Sequence, residues 1–434
     1  MDFMYLSNTK GIGGIIKSNA ESFIVEEIIQ NGNILEINKK YGALDLNLND
    51  SSNQNDKFVI FILQKKNWNT IQALKAIARR FKRGIKSIGF AGTKDRISIS
   101  TQLCSFYGIS KEQIPMLKSL NIKDLSINGA WLGNKKIGLG DLQGNKFTVT
   151  IERNLLNKND DNNTIESINN ELNGVFPNYF GTQRFGTRAN NVEIGIDILK
   201  GNLESATMKF LVDTNNEYNE EAINARKRLN NEKDFKSAIQ YFPKYLKYER
   251  LILEHLSKIS NDYAGALKKL PRNILLMFTH SVSSYIFNSE LDYRIKHKMF
   301  EPLDGDLICY ENEQGLPDIN NILKYENNKQ QNYNSKNFII GNIIGYDKEL
   351  NSVEEKIMKS LNIEKEDFKV KEMPELKNKG SYRTLFAPYL NFNYKTSNDK
   401  IIMQFSLLSG SYATVLLDEF MKNDSNKNNI IKYK

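Results

Sequence analysis

Gly89-Phe-Ala-Gly-Thr-Lys-Asp-Arg-Ile-Ser-Ile-Ser-Thr-Gln102 reads as strand, turn, strand, and the fold hangs on that reading. Ser87–Phe90 has the pattern of a short strand. Ile97–Leu103 (ISISTQL) alternates, with Ile97, Ile99, Thr101 and Leu103 on one face. The turn between them, Ala91–Asp95 (AGTKD), puts Asp95 on a loop at the end of two strands, where a rigid sheet can hold a reactive group. Ala91 and Gly92 are small enough to admit a close neighbour. Lys94 and Arg96 bracket Asp95, and nearby cations favour an ionised carboxylate. Taken alone, a Lys-Asp-Arg turn is more often a solvated charge cluster than a reactive centre.

Upstream, Phe23-Ile24-Val25 opens a strand, and Lys57–Leu63 (KFVIFIL) is a continuous apolar run that a sheet buries on both faces. The polar stretch Asn49–Asp56 between them reads as a loop. From Asn69 the apolar positions Ile71, Leu74, Ile77, Ala78 and Phe81 recur at helical spacing, while Lys75, Arg79, Lys82 and Arg83 fall largely elsewhere on the wheel. This predicts a basic amphipathic helix with Asn69 and Thr70 as candidate caps. Downstream, Ile137–Leu139 and Lys146–Ile151 (KFTVTI) look like the arms of a hairpin turning around Asp141–Asn145, and Asn157–Asn163 reads as a loop.

From about Val192 to Phe300 the pattern is mainly helical, as in Glu220–Leu229 and Ile274–Arg294, which places a second unit there. Glu311–Lys336, rich in Asn, Gln and Glu, is expected to be an exposed or mobile excursion within it. The end returns to sheet-building sequence: Lys400–Leu407 as a strand, Gly410-Ser411 as a turn, and Tyr412–Met421 as a helix capped by Ser411. A discontinuous sheet domain interrupted by an inserted module accounts for that order, and no repeat of solenoid period is present.

The 434 residues hold 60 Lys and Arg against 51 Asp and Glu, a net charge of +9. That excess suits a polyanionic partner, although coding bias in a chain rich in Lys, Asn and Ile also produces it. Cys104 and Cys309 are the only cysteines, too far apart in sequence for a C-x-x-C pair, and they fit a reducing, cytoplasmic setting. His255, His280 and His297 lack metal-binding spacing. No apolar run reaches membrane-spanning length, and the start lacks the regions of a signal peptide. Gly11-Ile-Gly-Gly14 lacks the spacing of a dinucleotide fingerprint and reads as a flexible turn.

A second informative stretch is Pro177-Asn-Tyr-Phe-Gly-Thr-Gln-Arg-Phe-Gly186. Its aromatics interleave with Asn178, Gln183 and Arg184, a mixture that stacks on bases, reads base edges and meets phosphates. A loop whose aromatics plug a core fits the same residues equally well. Read together, Ala91–Arg96 (AGTKDR), the following Thr101-Gln102 and Asn178–Gly186 (NYFGTQRFG) resemble the motifs of the TruD family of pseudouridine synthases. Family-like stretches continue in order along nearly the whole chain. They are Ile16-Lys17, Glu21–Glu27, Leu139–Phe147, Ser284–Asn288 and Gly410–Thr414.

The resemblance implies an α+β fold: a mixed, largely antiparallel sheet with flanking helices of the pseudouridine-synthase kind, plus an inserted, mainly helical TRUD-type domain. It sets the discontinuous catalytic domain at 1–195 and 380–434 and the insertion at 196–379. It implies Asp95 as the essential aspartate, Lys17 as a basic partner near it, Phe180 as the ring that stacks on the target uracil, and Asn178 as a neighbour in the pocket. For Phe23 a substrate-binding role and a core position at the start of a strand stand side by side. The substrate implied is tRNA, with uridine 13 of the D arm as the usual target, no metal or nucleotide cofactor, and a monomer. The alternative is a tRNA-binding protein that keeps the fold without the reaction.

Overall fold

The computed structural model describes residues 3–48, 57–153, 161–326, 336–397 and 399–423. The strands in chain order are β1 (Phe23–Ile28), β2 (Phe58–Lys66), β3 (Ile88–Phe90), β4 (Ile99–Tyr107), β5 (Leu125–Gly133), β6 (Gly144–Glu152), β7 (Val175–Pro177), β8 (Leu307–Tyr310), β9 (Leu323–Lys324), β10 (Asn337–Ile343), β11 (Ser381–Thr384), β12 (Phe386–Thr396) and β13 (Lys400–Leu408). The helices are α1 (Thr70–Arg80), α2 (Ile114–Lys118), α3 (Asp161–Leu172), α4 (Asn191–Leu199), α5 (Leu203–Val212), α6 (Glu220–Glu232), α7 (Phe235–Tyr241), α8 (Lys247–Leu256), α9 (Tyr263–Leu267), α10 (Arg272–Lys296), α11 (Ser352–Ser360) and α12 (Ala413–Met421). None of the described helices is long and apolar enough to cross a membrane.

The chain divides into two compact units, each discontinuous: a sheet unit of Ser7–Phe176 with Ala387–Lys434, and a helical unit of Met1–Leu6 with Pro177–Phe386. The edges fall at 176/177 and 386/387, where the sequence reading sets them at 195/196 and 379/380. Hydrogen bonds draw the Asn178 motif into the helical unit, because Asn288 clasps the Phe180 backbone and Arg383 clasps Asn178.

The sheet unit is built on a mixed sheet ordered β5-β2-β4-β1-β6-β13-β12-β7, with β3 added against β4. Of the pairings with a recorded register, β1 with β4 is parallel and the others are antiparallel. One core lies under β2 and β4, where Val59, Phe61, Leu63, Cys104 and Phe106 meet Ala73, Leu74, Ile77 and Ala78 of α1. Asn69 caps α1 by accepting from Ile71 N and Gln72 N. Thr70, the other candidate cap, instead enters the first turn, and its hydroxyl turns to the Asp95 loop.

Several local expectations are corrected. The strand after Asp95 starts at Ile99, because Ser98 N donates to Arg96 O and its hydroxyl to Asp95 O, which keeps Ile97 in the turn. β4 is buried on both faces: Cys104 and Phe106 enter the core with α1, and Leu103 enters a second core with Leu35, Ile62 and Trp131. Ile137–Leu139 forms no strand: β6 takes β1 and β13 as partners on its two edges, so no hairpin forms there. The close approach in this region belongs to Gly89, where a Cβ would sit 2.2 Å from Ile137 O, whereas a Cβ at Gly92 would meet nothing within 4 Å. Asp161–Asn163 open α3 and are not loop, with Arg153 paired to Asp161. The expected loop Asn49–Asp56, and residues 157–160 and 327–335 of the other two polar segments, lie outside the described residues.

Ser411 is not the cap of α12; Tyr412 is, without a side-chain bond. The Gly11–Gly14 segment is not a free turn either. It closes the other end of α12, with Ile12 N and Gly13 N donating to the last-turn carbonyls of Phe420 and Met421, each at 2.9 Å. A Cβ at Gly11 would lie 2.2 Å from Met421 O, so only glycine passes there.

In the helical unit α10 is central: Phe278, Val282 and Ile286 pack with Ile194 and Ile198 of α4, and β11-β10-β8-β9 form a small sheet. Beside it lies a buried acid pair. Glu354 Oε2 accepts from Asn342 Nδ2 at 3.0 Å and Asn351 N at 2.9 Å; Glu290 Oε1 accepts from Asn351 Nδ2 at 2.9 Å and Arg294 Nε at 3.2 Å. Glu290 Oε2 and Glu354 Oε1 are buried with no partner among the described residues. Burial, reinforced by Glu290, pushes the Glu354 carboxyl up to about 8. A carboxyl raised on folding stabilises fully below its unfolded value near 4.5, and that contribution drains away as pH climbs towards 8. Glu354→Gln cannot ionise. Its melting temperature is therefore expected to exceed the parent's at pH 9 and the gap to shrink at pH 5; the same gap at both pH values would refute a raised Glu354 carboxyl.

Candidate active site

Three chain segments meet at one end of the sheet because of strand direction. β1 and β4 run parallel, so their N-terminal ends lie together, and β2, antiparallel to β4, brings its C-terminal end to the same place. Lys17 precedes β1, Asp95 precedes β4, and Lys65 lies near the end of β2, opposite Ser100. Lys17 Nζ donates to Asp95 Oδ2 at 2.5 Å. The carboxylate remains 40% exposed and the lysine 20% exposed. Lys17 has a φ of 59°, unusual for a residue with a Cβ and costing roughly 1–2 kcal/mol. The preceding contacts hold it there: Gly11–Gly13 on α12, then the Ile15 bridge to Glu152. Phe23 is 2% exposed, its ring 4.4 Å beneath Lys17 Nζ and edge-on to Phe147. The structure thus gives Phe23 a core position from which its π face supports the lysine.

Lys65 carries a part that its sequence context, the polar end of an apolar strand, does not announce. Its side chain is buried and Nζ donates to the Asp95 carbonyl at 2.6 Å. Burial pulls this ammonium down to about 8, against the opposing pull of the Asp95 carboxylate. Lys94, expected beside Asp95, instead turns into the sheet. Its Nζ lies 2.7 Å from Glu27 Oε2 and 2.7 Å from Asn145 Oδ1. Glu27 Oε1 in turn accepts from Leu103 N at 2.9 Å. The loop backbone is fixed elsewhere too: Lys94 N donates to the Thr70 hydroxyl at 2.9 Å, and Gln102 Nε2 to Gly92 O at 3.2 Å. Thr101, next to Gln102, donates its hydroxyl to Leu35 O. The result is an acid side chain on a loop pinned through its backbone, with one oxygen bonded to Lys17 and part of the group open to solvent.

The other motif lies in the helical unit. Asn178 is buried: Nδ2 donates to Thr384 O at 3.0 Å, and Oδ1 accepts from Arg383 Nη2 at 2.5 Å. Its amide is therefore committed to holding Arg383, whose Nε also donates to Asn178 O at 3.0 Å. Asn288 of α10 clamps both backbone groups of Phe180, at 2.9 and 3.0 Å. The Phe180 ring is 5% exposed, edge-on to Phe287, with the Arg383 guanidinium 4.4 Å and the Arg184 guanidinium 5.2 Å from its centre. Of the residues predicted from sequence, Lys17, Phe23 and Asp95 come together in the sheet unit, and Asn178 and Phe180 in the helical unit. Lys65, Glu27, Asn145, Asn288 and Arg383 were not singled out individually. Glu27, Asn145 and Asn288 do fall inside the family-like stretches, a signal that could have found them.

Among the described residues no group of three or more His, Cys, Asp or Glu is placed to hold a metal ion. Residues 2–420 match the family model for tRNA pseudouridine synthase D, TruD. The chain belongs to the TruD family. It is 34% identical to a Thermococcus sibiricus protein named "Probable tRNA pseudouridine synthase D", over 97% of this chain and 98% of that one. A Methanosarcina acetivorans protein of the same name is 32% identical, over 97% and 95%. A crystal structure from Methanosarcina mazei, reported as a TruD candidate, superposes with a TM-score of 0.75 at 29% identity, covering 97% of this chain and 96% of that one. In this TruD family member, the fold expected from the motifs is the one observed: α+β with a largely antiparallel sheet and flanking helices.

Proposed function

We propose that the chain isomerises a uridine of tRNA to pseudouridine, with uridine 13 of the D arm as target. Asp95 is the carboxylate that acts at C1′, and Phe180 is the ring on which the flipped uracil stacks. The sheet unit is the catalytic domain and the helical unit the TRUD-type insertion. The observation that carries this reading is the Lys17–Asp95 pair, a carboxyl group bonded to a lysine on one oxygen while still open to solvent. The N1–C1′ bond breaks, the uracil turns, C5 bonds to C1′, C5 gives up its proton and N1 takes one up, so the product is an isomer and atoms balance without an external reactant. An ionised Asp95 serves either as a nucleophile at C1′ or as the base of an elimination route. Phenylalanine accepts no proton, so removal of the C5 hydrogen falls to Asp95 or to water.

Extruding the uridine costs a few kcal/mol, and stacking returns roughly 1–3 kcal/mol of that. Because the Phe180 ring is 5% exposed, a base reaches it only as neighbouring side chains yield, and the Arg383 guanidinium at 4.4 Å is the nearest cation over it. The reading needs no metal or nucleotide cofactor, and the chain acts as a monomer. The test is purified protein with a tRNA transcript carrying tritium at uracil C5, followed by mapping of modified positions. Tritium release with pseudouridine at position 13, lost in a U13C transcript, is the expected result. Free uracil as product, or tRNA binding without release, would replace the reading with a hydrolase or a non-catalytic binder.

A further inference from the structure

The positive charge of this chain is concentrated in one place. Between Lys57 and Lys94 stand ten Lys and Arg and no Asp or Glu, and in the rest of the chain 50 Lys and Arg face 51 Asp and Glu. The whole net excess therefore sits in 38 residues that end one position before Asp95. Within them, α1 turns Ala73, Leu74, Ile77 and Ala78 into the core and leaves Lys75, Arg79 and Arg80 exposed, with Lys82, Arg83 and Lys86 exposed in the turn that follows. Arg83 is anchored on Gly108 O at 2.7 Å. The other five, Lys75, Arg79, Arg80, Lys82 and Lys86, are exposed within twelve residues of one another and make no ion pair among the described residues. Cations at a helix C-terminus complement the macrodipole, which accounts for Arg79 and Arg80 but not for Lys82 and Lys86 beyond the end.

We propose that the exposed face of α1 and its following turn, Lys75 to Lys86, is a docking surface for the phosphate backbone of the RNA substrate. The proposal rests on the functional reading above and adds the surface that carries non-specific affinity. A row of unpaired cations releases counterions when it meets a polyanion, and it does so without reading sequence. The surface is rigid with respect to the catalytic loop, because Thr70 at the start of α1 holds the backbone of Lys94. An 11-residue helix is about 16 Å long, so phosphates bound at its far end lie a few nucleotides from a base brought to Asp95. An anionic membrane is the less suitable partner, since the apolar face of α1 is committed to the core and nothing is left to insert.

The experiment compares the full chain with Lys75→Gln/Arg79→Gln/Arg80→Gln/Lys82→Gln, and with a control that removes the same charge from the helical unit (Lys227, Lys247, Lys258 and Lys269, each to Gln). Affinity for tRNA is measured from 50 to 200 mM KCl, together with kcat and KM for pseudouridine formation. The α1 variant is expected to flatten the log Kd against log salt slope by about 0.9 per lost duplex contact, about 3.6 if all four removed cations meet phosphates. Its KM at low salt should rise about tenfold or more, with kcat at saturation within twofold of the parent and the control near the parent in every measure. Wild-type slope and KM in the α1 variant overturn the proposal, as does loss of binding to phosphatidylserine vesicles with tRNA binding intact. If the parent binds tRNA with the expected slope yet makes no pseudouridine, the functional reading fails while the docking surface stands.

Discussion

Asp95→Asn is expected to reduce pseudouridine formation by at least about 10⁴-fold, an increase of about 5 kcal/mol in the barrier, while tRNA affinity and melting temperature stay close to the parent's. The loss follows from charge. An amide neither attacks C1′ nor takes a proton there, and Lys17 then faces a neutral acceptor. Retention of the fold follows from how the loop is held. Lys65, Ser98 and Gln102 bind backbone carbonyls of Asp95 and Gly92, and the Asp95 side chain itself is 40% exposed, so the substitution breaks no buried contact. Single-turnover assays with excess enzyme are the appropriate measurement, since they separate chemistry from binding. Activity within tenfold of the parent would remove Asp95 from the reaction, and an unfolded variant would show that the carboxylate is structural.

Lys94→Met is expected to be the more damaging change for the sheet unit, with a loss of about 3–5 kcal/mol and a fall in melting temperature on the order of 10 °C. The Lys94 and Glu27 side chains are 4% and 0% exposed and 2.7 Å apart. Removing the cation leaves a carboxylate with no neutralising partner inside the sheet, and Glu27 cannot leave because it also holds Leu103 N. The double variant Lys94→Met/Glu27→Gln should recover a large part of the loss, since a neutral amide Oε1 still accepts from Leu103 N and no buried charge remains. Thermal melts of the two single and the double variants form a cycle whose coupling energy measures the pair. If the double variant melts no higher than Lys94→Met alone, the pair is not what steadies this loop. Lys65, whose contact is to the Asp95 carbonyl, would then be left as the main anchor.

The neighbour relations around Asp95 show where a linear reading stops. Adjacency along the chain put Lys94 and Arg96 beside the carboxylate. In space Lys94 crosses into the sheet and the partner is Lys17, 78 positions earlier. That exchange depends on β1 and β4 running parallel, and strand direction is not written in local alternation, because hydrophobic period is the same for parallel and antiparallel pairs. The false hairpin at Ile137–Leu139 has the same origin: KFTVTI is a sound strand, but which strand it pairs with is settled by long-range competition, and β1 and β13 both pair with it. Gly11–Gly14 looked like slack when read locally and serves as the end cap of a helix some four hundred residues away.

Sequence by itself determined the elements and their chemistry: the strand-loop-strand around Asp95, the basic amphipathic α1 with its Asn69 cap, the sheet-helix-sheet order, and the paired motifs at Ala91–Arg96 and Asn178–Gly186. These depend on residue type and short-range periodicity, which neighbours a few positions away suffice to fix. Only the tertiary structure decided that Lys94 turns away from Asp95 to Glu27, that Lys65 holds the Asp95 carbonyl, that the Asn178 amide is committed to Thr384 and Arg383, and that Glu290 and Glu354 are buried beside Asn351. Those outcomes come from strand direction, register and desolvation, properties of the assembled sheet and helix layers that no single segment carries.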